Sequence, residues 1–380
     1  MQSQPLKTTG LALDRAVDWL KLARDTRFSV IQKHALIKEI ASPNVIYQTS
    51  YKDLCAVLNL LPSQAKERKF QRQLSIGLEK DIAWLTDTNH HLICWQDNLY
   101  PALLREINDP PLCLFAKGNL ALLEEPKISV VGSRRPTPVG SKLAQTISSD
   151  LARLGIVITS GMALGIDGCA HRAVLELNEP TIAVMGCGLD IVSPARHHSL
   201  YEKIAQQGLM LSEYPIAYPA SRYTFPQRNR IVSGLSYGVV IVEAAEKSGT
   251  LITARLAMEQ NREVFVVPGS PINPQYVGSH RLIQQGASLV SNAEDIVVEL
   301  DSCLSSVLET MSNEKADFKL RETESATQYP LLKYINHEPT LVDQIILNSG
   351  LTASEVSSML LILEVEGLVT TVSDGRYLKY

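Results

Sequence analysis

The chain has 380 residues, of which 45% are hydrophobic and 20% charged, with a net charge of −4 and a pI of about 6.1. This length suggests two or three domains, and the composition excludes disordered and collagen-like classes. The slightly acidic balance excludes a surface coated in phosphate-binding charge, so any nucleic-acid site must be a local patch.

No stretch reaches the roughly 18 uninterrupted apolar residues that a membrane helix requires. The opening MQSQPLKTTG has no basic segment leading into an apolar one, so no signal peptide is expected. Six cysteines, Cys55, Cys94, Cys113, Cys169, Cys187 and Cys303, are scattered without a C-x-x-C pair. That spacing argues against a disulfide framework or a zinc ribbon. A cytoplasmic protein with no membrane insertion, no metal and no cofactor is the expectation.

Residues 11–75 carry Leu, Ala and Ile at helical spacing and no glycine. Residues 1–78 therefore read as a small all-helical (SAM-like) domain. It lacks the G-x-G hairpin that a helix-hairpin-helix DNA module would use, so a packing or interaction role is the expectation.

From Lys127 the texture changes. Six apolar runs each end at a glycine or polar turn and lead into a helical segment: 128–132, 156–161, 181–186, 209–215, 238–244 and 263–269. Continuous apolar strands alternating with helices predict an α/β core over 79–300, a Rossmann-like, doubly wound and mostly parallel sheet. In such sheets ligands gather at the carboxyl ends of the strands, beside helix N-termini.

The informative residues fall at those ends. The first run closes on Gly132, Ser133 and Arg134, where glycine admits a phosphate, backbone N–H groups supply donors and arginine adds a bidentate fork. The second closes on Ser160 and Gly161, followed by Gly165 and Asp167. Asp167 and His171 are four apart, which fits either an acid–base pair or a helix-capping Asp with a packed His below it. The segment 222–230 interleaves Arg222, Arg228 and Arg230 with Tyr223 and Phe225 and includes Asn229. Aromatic faces stack on bases while guanidiniums meet phosphate, the combination that single-strand binders use. After Glu243, which fits either a ribose contact or a scaffold role, Lys247, Ser248, Gly249 and Thr250 open another helix and form a further anion seat.

Between residues 127 and 300 there are 11 Arg, 4 Lys and 14 acidic residues. Arginine excess suits planar, bidentate recognition. There is no G-x-x-x-x-G-K-[ST] loop, no complete G-x-G-x-x-G fingerprint and no metal-ligand spacing. Several anion seats without a nucleophile, metal or activated water describe binding, and no catalytic residue is assigned. The rival reading is a Rossmann-type nucleotide or phosphoribose hydrolase, because similar glycine turns occur at those sheet ends.

Toward the C-terminus, 301–329 is polar and charged and reads as a linker. Residues 330–380 read as a winged helix: a helix over Pro339–Gly350, a second over Thr352–Glu366 begun by a Thr352/Glu355 capping box, and a hairpin wing. This unit holds three basic residues against six acidic ones, and its second helix has no Lys or Arg. A groove-reading helix needs such side chains, so it is expected to meet protein, including this chain's own core, in preference to DNA.

Eight stretches resemble the DNA-processing protein A family (DprA/Smf): 100–119, 130–140, 160–175, 182–197, 212–215, 225–236, 239–254 and 264–271. The resemblance implies a core that binds single-stranded DNA in a basic pocket, dimerises, protects incoming DNA in natural transformation and loads the recombinase RecA. It assigns Arg134, Arg228, Asn229 and Arg230 to the pocket, with Arg222 at the basic position upstream, and makes Lys247–Thr250 the phosphate-facing turn. The chain departs from the family pattern where Tyr276-Val277-Gly278-Ser279-His280 replaces a Ser-x-Gly-x-Asn motif.

Overall fold

The computed structural model describes residues 10–25, 28–40, 42–60, 78–300, 331, 334–335, 340–365, 369–372 and 376–379. The expected linker, 301–329, lies outside them. The chain forms two compact units, Met1–Val307 and Leu308–Tyr380.

Among its described residues the first unit begins with helices α1 (Gly10–Arg24), α2 (Val30–Ile40), α3 (Pro43–Gln48), α4 (Tyr51–Val57) and α5 (Leu78–Trp84). Trp19, Leu22, Leu36, Ile37, Ile46 and Leu54 from these helices close a core together with Cys94 and Cys113 of the strands that follow and with Leu112 just before the second of them. The helical segment thus shares its interior with the sheet, and the expected boundary at 78/79 falls within one compact unit.

Nine strands form the main sheet: β1 (His90–Cys94), β2 (Cys113–Gly118), β3 (Lys127–Val131), β4 (Val157–Ser160), β5 (Thr181–Met185), β6 (Leu209–Ser212), β7 (Gly238–Ile241), β8 (Glu263–Val266) and β9 (Ser288–Leu289). Their order is β1-β2-β6-β5-β4-β3-β7-β8-β9. All pairings from β6 through β9 are parallel, whereas β1/β2 and β2/β6 are antiparallel. The six predicted strands are β3 to β8, and the mostly parallel Rossmann-like sheet is present. β1 and β2 add an antiparallel edge beyond it.

The strands are apolar throughout because both faces are covered. Ile182 and Val184 of β5 join Leu209 and Leu211 of β6 in one core, while Ala183, Met185 and Met210 join the other. That split is the two-residue alternation of a strand packed on both sides. Helices α7 (Pro138–Arg153) and α8 (Ile166–Glu176) pack together, as do α10 (Thr224–Gly234) and α11 (Thr250–Glu259). Between the members of the first pair and the strands they follow, the chain moves outward from β3 in one direction; β7 and β8 extend the sheet in the other. β3 and β7 therefore flank the switch point where crevices form. The remaining helices are α6 (Ala102–Arg105), α9 (His198–Gln207), α12 (Val277–Gln284) and α13 (Ala293–Glu299).

Among the described residues of the second unit, a three-stranded sheet, ordered β10-β12-β11, accompanies two α-helices. The elements are β10 (Thr340–Leu341), α14 (Val342–Ser349), α15 (Ala353–Val365), β11 (Val369–Val372) and β12 (Arg376–Lys379). This is the predicted winged helix, with one adjustment. Thr340 and Leu341 pair with Tyr377 and Arg376, so the chain enters as a strand and its first helix starts only at Val342. The capping box is made: Glu355 N–H donates to Thr352 Oγ1 at 3.4 Å and Thr352 N–H to Glu355 Oε2 at 2.9 Å. Among the described residues no single helix is long and apolar enough to cross a membrane.

Candidate nucleic-acid interface

Four turns meet at the carboxyl edge of the sheet around β3 and β7. Thr250 Oγ1, at the start of α11, donates to the Gly132 carbonyl at 3.0 Å. Ile166 N–H, at the start of α8, donates to the Ser133 carbonyl at 3.1 Å. The Arg134 guanidinium lies 5.5 Å from the ring centre of Phe225 in α10. The sequence motifs are therefore neighbours in space.

Gly165 sets the tightest of these turns. Its φ is +82°, and a Cβ there would lie 2.2 Å from the Ser133 carbonyl oxygen, which is fixed backbone. Gly165→Ala is expected to destabilise the protein by about 1–3 kcal/mol, read as a lower melting temperature. An unchanged melt would mean that the turn can reshape itself.

Glu243, fully buried at the end of β7, accepts from Thr137 N–H at 3.0 Å, Thr137 Oγ1 at 2.5 Å and Tyr276 Oη at 2.9 Å. Thr137 in turn N-caps α7, accepting from Gly140 N–H at 3.0 Å. Of its two sequence readings, the geometry matches the scaffold: Glu243 ties the β3 turn to the β7 turn. Tyr276, where the chain departs from the family pattern, is part of the same tie.

Arg228 differs most from the sequence expectation. Its residue exposure is 3%, and Nη1 donates to the carbonyls of Gly161 and Val184. Nε donates to Asn229 Oδ1 at 3.2 Å. Gly161 N–H donates to buried Asp167 Oδ2 at 3.1 Å, so one residue joins two opposite buried charges. Burial raises the Asp167 pKa while the charge of Arg228 opposes the rise. Burial likewise lowers that of Arg228, with Asp167 opposing. Arg230 is also committed, to Asp109 at 3.2 Å and Glu213 at 2.7 Å, with its side chain 12% exposed. Both arginines were expected to face a ligand; in the structure they brace α10 from within.

The remaining predicted residues divide by exposure. Ser160 is buried, with Oγ donating to the Val130 carbonyl at 2.7 Å, and Gly161 is buried beside it. Arg134, Arg222, Lys247 and Gly249 are exposed, and Gly132, Ser133, Phe225, Asn229 and Ser248 are half-buried. Ser248 Oγ accepts from Thr250 N–H at 3.2 Å, which opens α11 in the manner of an N-cap. Arg222 lies 4.8 Å from the Tyr223 ring centre. Sequence reasoning also missed Asp190: its Oδ1 accepts from Ala217 N–H at 2.8 Å and fixes the loop before α10. The glycine-rich turn 186–190 holds this loop, with Gly188 N–H also donating to the Tyr218 carbonyl at 2.9 Å.

Asp167 and His171 do not face one another as an acid–base pair. Asp167 accepts from backbone N–H groups, and His171 Nδ1 pairs with Thr181 Oγ1 at 2.8 Å. Burial, reinforced by nearby His197, lowers the His171 pKa from 6.5 to about 3. A depressed folded-state pKa adds stability that is present above 6.5 and lost as pH falls toward 3. The loss is expected to be on the order of a few kcal/mol, and His171→Asn should flatten this acid limb in urea titrations. An identical limb in the variant would assign the loss to other groups.

Glycine-bearing turns gathered at the switch point of a doubly wound, mostly parallel sheet, with exposed arginines and aromatics beside them, define a Rossmann-like protein. The description "DNA recombination-mediator protein A" matches residues 91–301, and the DprA winged helix domain matches 316–375. The chain belongs to the DNA recombination-mediator protein A (DprA/Smf) family. It is 41% identical to Protein Smf of Escherichia coli over 313 residues, spanning 81% of this chain and 83% of that one. It is 46% identical to DNA processing protein DprA of Bacillus subtilis over 202 residues, 53% of this chain and 68% of that one. The solved DprA of Streptococcus pneumoniae superimposes with a TM-score of 0.66 at 35% identity, covering 74% of this chain and 97% of that one. DNA processing protein A of Helicobacter pylori, whose structure describes its single-stranded DNA binding mode, gives 0.51 at 34% identity over 56% of this chain and 95% of that one.

Proposed function

We propose that this chain binds single-stranded DNA at the carboxyl edge of its sheet, protects incoming strands in transformation and recombination, and hands them to RecA without catalysis of its own. The observation that carries the reading is Arg134 seated over Phe225 beside the β3 and α11 turns, with Arg222 and Lys247 exposed nearby. A guanidinium beside an aromatic ring serves a base and a phosphate at once, and needs no fixed sequence. The single-stranded DNA binding of the Helicobacter pylori relative supports the same ligand.

The reading places the protein in the cytoplasm as a homodimer. The second copy is supplied by the family resemblance. RecA is the partner that the family resemblance supplies. Co-precipitation of RecA with the full chain, with and without oligo-dT, tests it; no association in either condition would remove the loading step.

The winged helix is proposed to contact protein. Its second helix, α15, carries no basic side chain, so it offers phosphate no charge-assisted contact. Truncation after residue 315 is expected to leave oligo-dT affinity within about twofold. A drop of tenfold or more would place the winged helix on the strand.

A further inference from the structure

The loop between β6 and α10, residues 213–223, leaves two aromatic rings, Tyr218 and Tyr223, exposed. Its backbone is pinned at several points. Asp81 Oδ1 accepts from Ile216 N–H at 2.9 Å, Asp190 Oδ1 accepts from Ala217 N–H at 2.8 Å, and Gly188 N–H donates to the Tyr218 carbonyl at 2.9 Å. These bonds hold Ala217 at a φ of +63°, a left-handed conformation that costs a residue with a Cβ about 1 kcal/mol or more. Asp81 is itself held by Arg24 of α1 at 2.5 Å, so the helical segment buttresses the loop.

On this fixed backbone Tyr218 is 42% exposed and Tyr223 64% exposed. Tyr214 lies beneath, 8% exposed, with its hydroxyl donating to Gln227 Oε1 at 3.1 Å. Tyr218 stacks on Tyr214 with ring centres 5.0 Å apart and planes 22° apart. One face of Tyr218 is thus covered, and its exposed area belongs to the opposite face and edges. Tyr223 is held by Arg222, whose Nη2 donates to the Tyr223 hydroxyl at 2.6 Å. The stack is continuous with the interface already described: the Tyr214 hydroxyl lies 3.3 Å from the Thr224 carbonyl, and Thr224 precedes Phe225, over which Arg134 sits.

We infer that Tyr218 and Tyr223 are base-stacking platforms that extend the single-strand path from Phe225 along the β6–α10 loop. The inference rests on the single-strand reading and adds where the strand runs. Tyr218 spends one face on Tyr214 and Tyr223 meets Arg222, and the ring surface still left in water on this braced loop gains further stability when a flat apolar partner covers it. Bases are such partners, and stacking tolerates any sequence. Leaving Tyr214 as a locked base plate means that Tyr218 loses little freedom when a base settles on it.

The test uses the full chain and two labelled probes, an oligo-dT of about 15 nucleotides, near the upper span of one such site, and an abasic strand of equal length and charge. Tyr218→Ala and Tyr223→Ala are each expected to weaken oligo-dT binding by about fivefold or more. Tyr218→Phe retains the ring and should bind as wild type does. On the abasic strand wild type and both Tyr218 variants should bind alike, because their phosphate contacts are unchanged; Tyr223→Ala also frees Arg222, so its loss on oligo-dT should exceed its loss on the abasic strand. Two results overturn the inference: alanine variants that hold oligo-dT as tightly as wild type, or alanine variants that lose equally on the abasic strand. Arg134→Ala is run in parallel. Its loss of binding with the tyrosine variants intact leaves the single-strand reading standing and removes only this extension; wild type that binds neither probe removes the reading itself.

Discussion

Arg134→Ala is expected to weaken single-strand binding by about 10- to 100-fold while leaving the melting temperature nearly unchanged. Arg134 is exposed and its recorded ring contact is with Phe225, so truncation removes a surface group. Exposed substitutions of this kind usually cost the fold no more than about 0.5 kcal/mol. A charge-assisted contact to phosphate is worth about 1.5–3 kcal/mol, and each 1.4 kcal/mol is tenfold in affinity. Arg134→Lys should recover only part of the loss, because a point charge replaces a planar fork. Titration of a labelled oligo-dT checks the first effect and a thermal melt the second. Undiminished affinity would place the strand elsewhere on the molecule.

Arg228→Ala is expected to do the opposite, lowering stability by about 3–5 kcal/mol. The side chain is buried, it satisfies the carbonyls of Gly161 and Val184, and its charge offsets that of Asp167. Removing it leaves Asp167 buried without its compensating charge, which is the costly way to break such a pair. For a unit of this size the loss corresponds to roughly 5–8 °C in melting temperature. Arg228→Lys should not restore it, since one ammonium cannot reproduce the fork that reaches both carbonyls and Asn229. Binding by this variant has to be measured well below its melt. A variant that melts like wild type yet loses the strand would show that the guanidinium leaves its burial to meet the ligand.

The contrast between these two arginines shows what was legible in the sequence. Arg134 was readable because it follows a glycine at a strand end, where sheet geometry exposes whatever comes next. Arg228 sits in a segment that looks like a surface motif, R-N-R, and its chemistry alone suggested phosphate. The helical period carried the missing signal: Thr224, Arg228, Ile231, Val232 and Leu235 lie at offsets of four, seven, eight and eleven, and all are buried. On that stripe an arginine is an internal brace. Strands β3 to β8 were legible because each is a continuous apolar run bounded by a turn. β1 was not, since HHLIC opens on two histidines and its partner β2 lies 18 residues on, across a segment with little regular structure. Register across such a gap is decided by the sheet edge it joins. The role of Glu243 stayed open for a similar reason: its three partners, Thr137 N–H, Thr137 Oγ1 and Tyr276 Oη, come from two distant segments.

On the reading proposed above, a slightly acidic protein binds single strands through a small exposed set of cations and rings. Arg134, Arg135, Arg222 and Lys247 are that set of cations. Fluorescence anisotropy of a labelled oligo-dT and of its duplex, across a salt series, tests the claim most directly. The account expects a clear single-strand preference and a log–log salt slope of about −2 to −3, from three or four phosphate contacts on a single strand. Equal binding of strand and duplex, a flat slope, or a slope unchanged in the Arg134→Ala, Arg222→Ala double variant would contradict it, and would return nucleotide turnover at the same turns as the reading to pursue.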